Sequence, residues 1–363
     1  IPIVLTYGEA ELAFAPDGLG GRLTVDTQAY AVFRDQGTDS RRVATRAGYE
    51  LPILGSFGEI WTLRGRADLL AGSVDNLDQA PFFGPAGRDG SWTNGNLRAA
   101  LDWRWPLVRP AGDWGSQLIE PRVQLVTGPA TGRQLRIPAE DSLDLEFTDA
   151  NLFELNRFPG RDRQEGGTRV DAAMRAAWLF PNGGLVEGLV GRSFRTTEEA
   201  LFPAGSGLEN RASDWVARAR LAPVPWFELL GRTRLEGDSL EQRFFDVSAT
   251  VYAGRFSLTA GHLGSQPAPN GAYAKRDEVS LGGTFQLGTH WRIGAFGRYD
   301  RAREEPVSAL ASLTYEDECL IFDTRFVRRF ATDPATERDY PSYTMLLFRV
   351  TLKTIGDFGI RAL

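Results

Sequence analysis

Hydrophobic and polar residues alternate with a period of two along most of this chain. Trp61, Leu63, Gly65, Ala67 and Leu69 interleave with Thr62, Arg64, Arg66 and Asp68, and Leu97, Ala99, Leu101, Trp103 and Trp105 interleave with Arg98, Ala100, Asp102 and Arg104. A β-strand sends successive side chains to opposite faces, so each such segment has one apolar face and one charged face. With this many two-faced strands, the pattern predicts apolar faces turned to lipid and charged faces turned to a wet lumen. The expected fold class is therefore all-β, a transmembrane antiparallel β-barrel.

Alternation bounded by Gly, Pro, Asp and Asn clusters predicts strands near 3–14, 22–34, 41–50, 58–70, 97–105, 116–126, 169–179, 184–194 and 214–222. The series continues near 226–236, 243–252, 254–263, 277–286, 289–300, 306–316, 318–329 and 341–352, about seventeen strands in all. One set of connections is tight, as at 180–184, 252–255, 287–290 and 316–318. The other is longer and polar, as at 71–96, 127–168, 195–213, 263–276 and 330–340. Barrels of this class have short periplasmic turns and longer extracellular loops, so the first and last predicted strands both run toward the periplasm. An odd count with the N-terminus outside does not fit a bacterial single-chain barrel, which has an even count. The expectation is that this chain is the C-terminal portion of a larger barrel whose first strands are absent.

Composition narrows the partners more than the fold. The 42% hydrophobic and 24% charged content is ordinary, and no apolar run approaches the ~18 residues of a membrane helix. Forty Gly and nine Trp suit tight turns and interfacial aromatic girdles. A net charge of −6 argues against nucleic acid. The single cysteine excludes an intrachain disulfide framework. The N-terminal IPIVLTYGEAEL has no basic start, so a signal peptide is expected to have been removed or to lie outside this sequence.

Two groups of residues are candidates for binding. Arg64, Arg66, Arg98, Arg104, Arg218, Arg220, Arg232, Arg234, Arg292, Arg298 and Arg325 fall on the charged faces and would line the lumen. Arginine's planar fork suits phosphates and sugar hydroxyls, whereas the simpler reading pairs these arginines across strands with Asp68, Asp102 and Asp323. The second group lies in the 127–168 loop. Its acidic and amide residues Asp141, Asp144, Glu146, Asp149, Asn151, Asn156 and Asp162 accompany Phe147, Phe153 and Phe158. The loop lacks the spacing of an EF-hand. A lid is favoured over a metal site, with the apolar residues packed and the acidic ones bonded to Arg157, Arg161 and Arg163. Catalysis is disfavoured, because His262 and His290 lie toward opposite ends of their strands and no nucleophile elbow supports a pair of His262 with Ser265.

Several stretches are distinctive together: IEPRVQL at 119–125, IPAEDS at 137–142, FTDANLFELNRF at 147–158 and GRDR at 160–163, with YEDECL at 315–320 and TLKTIGDFG at 351–359. They resemble the LptD family, the lipopolysaccharide-assembly proteins of the bacterial outer membrane, and the resemblance covers the chain as the C-terminal part of that family's barrel. It implies insertion of lipopolysaccharide into the outer leaflet with no bond broken and no cofactor or metal. The sugar passes through the lumen, and the lipid leaves sideways between the first and last strands. It further implies an LptE-like lipoprotein plug, a periplasmic Lpt bridge docking on an N-terminal domain outside this chain, and insertion into outer-membrane lipid by the barrel-assembly machinery.

On this resemblance the strand at 341–352 forms one side of the lateral gate, with Leu346, Phe348, Val350 and Leu352 toward lipid and Leu347, Arg349 and Thr351 toward the lumen. The resemblance also makes Cys319 a disulfide candidate toward the N-terminal periplasmic domain, although Leu320 stands where the family's paired-cysteine pattern has a second cysteine. The competing reading is a porin or substrate-specific channel, which would be complete in about sixteen to eighteen strands. A TonB-dependent receptor fits less well, since it needs a plug domain of its own.

Overall fold

A computed structural model of the chain describes residues 3–34, 38–76, 90–129, 134, 139–142, 145–199, 201–267, 275–333, 338–353 and 356–362. These form β1 (Ile3–Ala13), β2 (Arg22–Phe33), β3 (Asp39–Leu54), β4 (Ile60–Asp75), β5 (Gly90–Arg104), β6 (Leu107–Pro110), β7 (Ser116–Gly128), β8 (Gly167–Leu179), β9 (Leu185–Arg195) and β10 (Trp215–Val224). There follow β11 (Phe227–Leu235), β12 (Gln242–Ala253), β13 (Phe256–Ser265), β14 (Arg276–Leu287), β15 (Trp291–Asp300), β16 (Glu305–Glu316), β17 (Leu320–Asp333), β18 (Arg338–Leu352) and β19 (Gly356–Ala362). Every strand predicted from the alternation is present, and every pairing with a described register is antiparallel.

Two strands were not anticipated, and they change the count. Pro106 has no backbone N–H and interrupts β5. The ladder resumes when the Trp105 N–H donates to the Pro121 carbonyl, and a short 3-10 turn at Gly112–Trp114 closes the hairpin. The four-residue β6 thus continues the arm begun by β5, while β5 itself pairs with β7. The other addition, β19, pairs with β18 from Leu346 opposite Ala362 to Leu352 opposite Gly356. Its Gly-Asp-Phe-Gly sequence hides the period of two. With β6 counted as part of β5, the full strands among the described residues number eighteen, and the odd count behind the expected parity fails. The strand carrying Leu346–Leu352 is therefore followed by another, and β19, the last described strand, runs away from the tight turns.

The predicted loop at 71–96 is also shorter than expected. β4 continues to Asp75 and β5 starts at Gly90, with Val74 paired to Gly90. The small residues of Ala71-Gly72-Ser73 and Gly90–Gly95 blur the alternation there without preventing pairing.

The chain divides into two compact units, 1–107 with 119–175 and 190–216, and 108–118 with 176–189 and 217–363. In the first, β1, β2, β3, β4, β5 and β7 form an antiparallel meander. The second holds the meander from β11 to β19. β7 to β10 contribute residues to both.

Both units bury their polar faces and expose their apolar ones. In β4, Thr62 and Asp68 are buried while Leu63 and Leu69 are exposed; in β5, Asn96, Arg98 and Asp102 are buried while Leu97 and Leu101 are exposed. In the second unit Val247, Leu258, Leu281 and Ile293 are exposed, and Arg234, Asp300, Thr314 and Asp323 are buried. Water penalises such an apolar surface, whereas a bilayer makes it the favourable arrangement.

Candidate functional site

The loop that joins β7 to β8 folds onto the polar face of the first unit. Its turn is fixed locally: Asn151 Oδ1 accepts the Thr148 N–H at 2.9 Å, and Asn151 Nδ2 donates to the Glu146 carbonyl at 2.9 Å. This aims Phe147, Leu152 and Phe158 inward, where they form a buried cluster with Leu145, Leu201, Phe202, Leu208 and Val216. Phe158 stacks on Phe202 with centroids 4.9 Å apart. Gly191 of β9 makes the close approach feasible, because a Cβ there would come within 2.4 Å of Leu152 Cδ2 and 2.8 Å of the Ala172 carbonyl. Gly160 has φ +66° and lies so close to Asp141 that a Cβ would clash with that carboxylate.

Charge locks this lid in place. Glu165 is fully buried among Arg157, Arg169 and Arg195, with Arg169 Nη1 at 3.2 Å and Arg157 Nη1 at 3.7 Å. Asp171 on β8 holds Arg157 and Arg169 and accepts the Ser193 hydroxyl at 2.6 Å. Arg98 on β5 donates to the Leu155 carbonyl at 2.8 Å and to Gln164. Gln134 and Gln164 exchange bonds at 2.7 and 2.8 Å, and Asn156 bridges the Arg163 carbonyl and the Glu165 N–H. Closer to the N-terminal strands, Arg42 on β3 binds both Asp141 and Asp162, and Arg161 reaches Asp26 on β2.

The titration behaviour of the loop carboxylates follows from this packing. Burial by itself would raise Asp141, but its hydrogen bond and charge pairing with Arg42 outweigh burial and hold it down to about 2. Asp162 moves the other way, to about 6, through burial and the neighbouring Asp141 charge. For Glu165 the burial penalty is overcome by Arg157, Arg169, Arg195 and Arg98, and its carboxyl lies below the ordinary value. Burial lowers Arg157 to about 10.

Beside the lid lies an open polar cleft of about 430 Å³, lined by Arg46 and Arg66 from β3 and β4 and by Glu146, Asn151, Glu154 and Asn156 from the loop, among others. Arg46 and Arg66 are both held by Asp68, at 3.1 and 2.7 Å. Guanidinium, amide and carboxylate groups around a wet cleft can hydrogen-bond a polyhydroxylated ligand from several sides.

The expected lid residues Asp149, Asn151, Phe153, Asn156, Arg157, Phe158, Asp162 and Arg163 are thus brought together, although their partners differ from expectation. Arg157 pairs with Asp171 and Glu165, Arg161 with Asp26, and Arg163 Nη1 donates to the Asp162 carbonyl. Asp144 falls outside the described residues. Arg42, Glu165, Arg169, Asp171 and Arg195 were missed, since an alternating strand gives no sign of which charge a distant loop will cover.

The arginines of the charged faces largely follow the pairing reading. Arg66 is held by Asp68, Arg64 by Glu50 and Arg325 by Asp323, whereas Asp102 is taken by Arg122. Arg218 binds Glu187, Arg220 binds Glu228 at 2.8 Å, Arg232 lies 3.9 Å from Asp246, and Arg298 lies 3.4 Å from Glu278. Arg234 is buried, while Arg104 and Arg292 are exposed near their strand ends. His262 bonds Asp277 at 2.8 Å and His290 bonds the Glu316 carbonyl at 3.0 Å. Ser265 lies three residues from His262 along β13, on the other face of the sheet, so the two form no catalytic pair. Cys319 is exposed in the tight β16–β17 turn, where Asp317 Oδ1 accepts the Cys319 and Leu320 N–H groups at 2.9 and 2.8 Å.

An antiparallel, apolar-outward sheet with a polar interior defines the class of outer-membrane β-barrel proteins. The profile of one family within that class, LPS transport system D (LptD), matches residues 8–291, and the chain belongs to the LptD family. It is 24% identical over 257 residues to the LPS-assembly protein LptD of Chromobacterium violaceum, covering 66% of this chain and 30% of that protein. To the LPS-assembly protein LptD of Azoarcus sp. (strain BH72) it is 27% identical over 229 residues, covering 60% and 27%. The match spans less than a third of the length of either relative. Among solved structures, a ferric enterobactin receptor (PfeA) mutant from Pseudomonas aeruginosa aligns with a TM-score of 0.48 at 8% identity, over 95% of this chain and 61% of that one. A mutant Rh. blastica porin aligns with a TM-score of 0.40 at 9% identity, over 97% and 100%. Neither structural likeness carries an argument. Family membership, together with the apolar-outward sheet, places the chain in the bacterial outer membrane.

Proposed function

We propose that this chain forms part of the wall and the inner lid of a translocon that inserts lipopolysaccharide into the outer leaflet. The observation that carries the reading is the inverted polarity of the sheet combined with the polar cleft of Arg46, Arg66 and the 145–166 loop. Sugars and phosphates of lipopolysaccharide travel along the polar face, while the apolar face stays in lipid. The wider assembly includes an LptE-like plug, a periplasmic Lpt bridge and the barrel-assembly machinery, as in the family. The lateral gate lies at the C-terminal edge. There the seven-residue β19, the last of the described strands, takes the place expected for 341–352 as one side of the gate, with β18 paired behind it from Leu346 to Leu352. Leu347, Arg349 and Thr351 of β18 face the lumen beside that edge. Cys319, exposed on the tight-turn side, offers its thiol to the N-terminal periplasmic domain.

The test is site-specific photocross-linking in cells, in the full-length protein, with the photoreactive residue placed at Arg66 or Glu154 and, as a control, at lipid-facing Leu63. Lipopolysaccharide adducts at 66 and 154, well above those at 63, are the expected result. Adducts no more frequent at the cleft than at Leu63 would remove the conduction reading.

A further inference from the structure

A second pocket, of about 170 Å³, opens on the second unit near the loop ends of β12, β13 and β14 and is lined by Arg243, Phe245, His262, Lys275 and Asp277, among others. The registers show which face of the sheet it occupies. Phe245 opposes Gly264, which opposes Asp277, and Val247 opposes His262, which opposes Val279. These rows share the face that exposes Val247, Leu258 and Leu281, so the pocket lies on the lipid-facing surface. Leu281 is four residues along β14 from Asp277, roughly 13 Å at the rise of a strand. Polar groups therefore replace the apolar belt at the depth where hydrocarbon gives way to headgroups, on the side of the longer loops.

The pocket is built and not merely charged. A Cβ on Gly264 would lie 2.3 Å from Phe245 Cε1, so the absence of a side chain lets the ring lie against the strand. The ring meets His262 edge-on, with centroids 4.8 Å apart, and His262 Nε2 is anchored to Asp277 Oδ1 at 2.8 Å. Arg301 also approaches Asp277, at 3.8 Å, and Arg243 is oriented by Glu236 at 2.9 Å and Glu241 at 3.3 Å. Lys275 is exposed at the rim and has no ion-pair partner among the described residues. Arg243 and Lys275 thus line a cavity on the lipid-facing surface near the strand ends, and Arg301 stands behind Asp277. An aromatic floor separates it from the apolar track below.

We propose that this pocket binds the anionic phosphate of a lipid in the surrounding leaflet, with the acyl chains lying along Val247, Leu258 and Leu281. Lys275 and Arg243 contact the phosphate, and His262 donates to it or to the adjoining glycerol or sugar. Such a site would hold a fixed lipid against the wall, outside the conducting interior, and its occupancy does not depend on export.

Lys275 and Lys353 are the two lysines in this sequence, so each is followed in a peptide of its own. Lys353 belongs to the β18–β19 turn and is tied to Glu316 and to the Asp317 carbonyl, so it serves as the internal reference. The full-length protein is reconstituted in phosphatidylcholine discs, alone or with phosphatidylglycerol or bisphosphorylated lipid A, and acetylation of each lysine is followed by mass spectrometry. Slowing at Lys275 of at least threefold relative to Lys353 is expected in the anionic discs. Protection by both lipids assigns the site to anionic lipid phosphates in general, and protection by lipid A alone assigns it to the lipid of the outer leaflet. Equal labelling in all three discs overturns the proposal. Arg243→Gln and His262→Asn should each remove most of the protection while Lys353 keeps its rate; protection that survives both changes also overturns the site. Because neither readout involves transport, failure here and failure of the translocon reading are distinguishable.

Discussion

The two units share one alternation but treat their charged faces differently. In the first, Arg98 is 2% exposed and Arg157 is sealed completely, because the 145–166 loop and its aromatic cluster cover them. In the second, Arg298 and Arg325 keep nearly half of their side chains exposed while holding Glu278 and Asp323. The strand period decides which face a charge occupies. Whether that charge becomes a structural tie or remains a wet lining depends on what folds over it, and the energetic consequences differ by severalfold.

The largest effect is expected from breaking the sealed network. Glu165→Ala leaves Arg157, Arg169 and Arg195 converging on an empty site without water to compensate them. Loss of one partner from a buried charge cluster costs about 3–5 kcal/mol. Hydrogen exchange across 145–166 should accelerate by two or more orders of magnitude while β11–β17 keeps its protection. If exchange in the loop is unchanged, the ion network does not hold the lid.

Packing comes next, and it can be tested as a pair. Gly191→Ala drives a methyl group into Leu152 and the Ala172 carbonyl, an overpacking expected to cost about 1–3 kcal/mol. Leu152→Ala alone opens a cavity and costs about 2–5 kcal/mol. The double variant should be more stable than the sum of the two predicts, since the smaller side chain at 152 makes room for the new methyl. Thermal or denaturant unfolding of all four proteins gives the coupling directly. Strict additivity would mean that the loop does not rest on β9 as described.

The contrast also explains what could be read in advance. Trp61–Leu69 and Leu97–Trp105 announce their strands and faces because each residue's environment is set by its own position in the pleat. That Phe147 and Phe158 would pack and that Arg157 would be bonded was legible as a lid, since apolar and charged residues in one loop need partners. Which partners they take was not legible: Glu165 and Asp171 meet Arg157 only after β8 and β9 are in place. β19 escaped for a local reason, its two glycines and Asp357 masking a ladder that is evident only beside β18.

The two loop carboxylates define a pH test whose effects partly offset. Asp162 lies above its ordinary 3.8, at about 6, so its contribution to folding is fully present below 3.8 and is lost as pH rises through 6. Asp141 lies below, at about 2, so its contribution is present above 3.8 and is lost as pH falls toward 2. The lid should therefore be tightest near pH 4 and should loosen as pH rises from there toward 6. Protease accessibility of residues 139–163, measured with a protease active from pH 2 to 7, should pass through a minimum near pH 4, and Asp162→Asn should flatten the rise between pH 4 and 6. A monotonic profile in the unaltered protein would separate the pair from lid closure.

The smallest effect is expected where the comparison began, on the wet face of the second unit. Arg325 sits 2.6 Å from Asp323 with 48% of its side chain exposed. Asp323 also accepts the Thr314 hydroxyl at 2.9 Å, so it keeps a partner when the guanidinium is removed. Exposed ion pairs contribute about 0–1 kcal/mol, and Arg325→Ala should lower stability by no more than that. It should weaken further at low salt and barely at all at high salt, because the pair lies open to screening. A loss as large as that of Glu165→Ala would show that the second unit's charged face is sealed as well, and the distinction between a lidded and a lining surface would no longer hold.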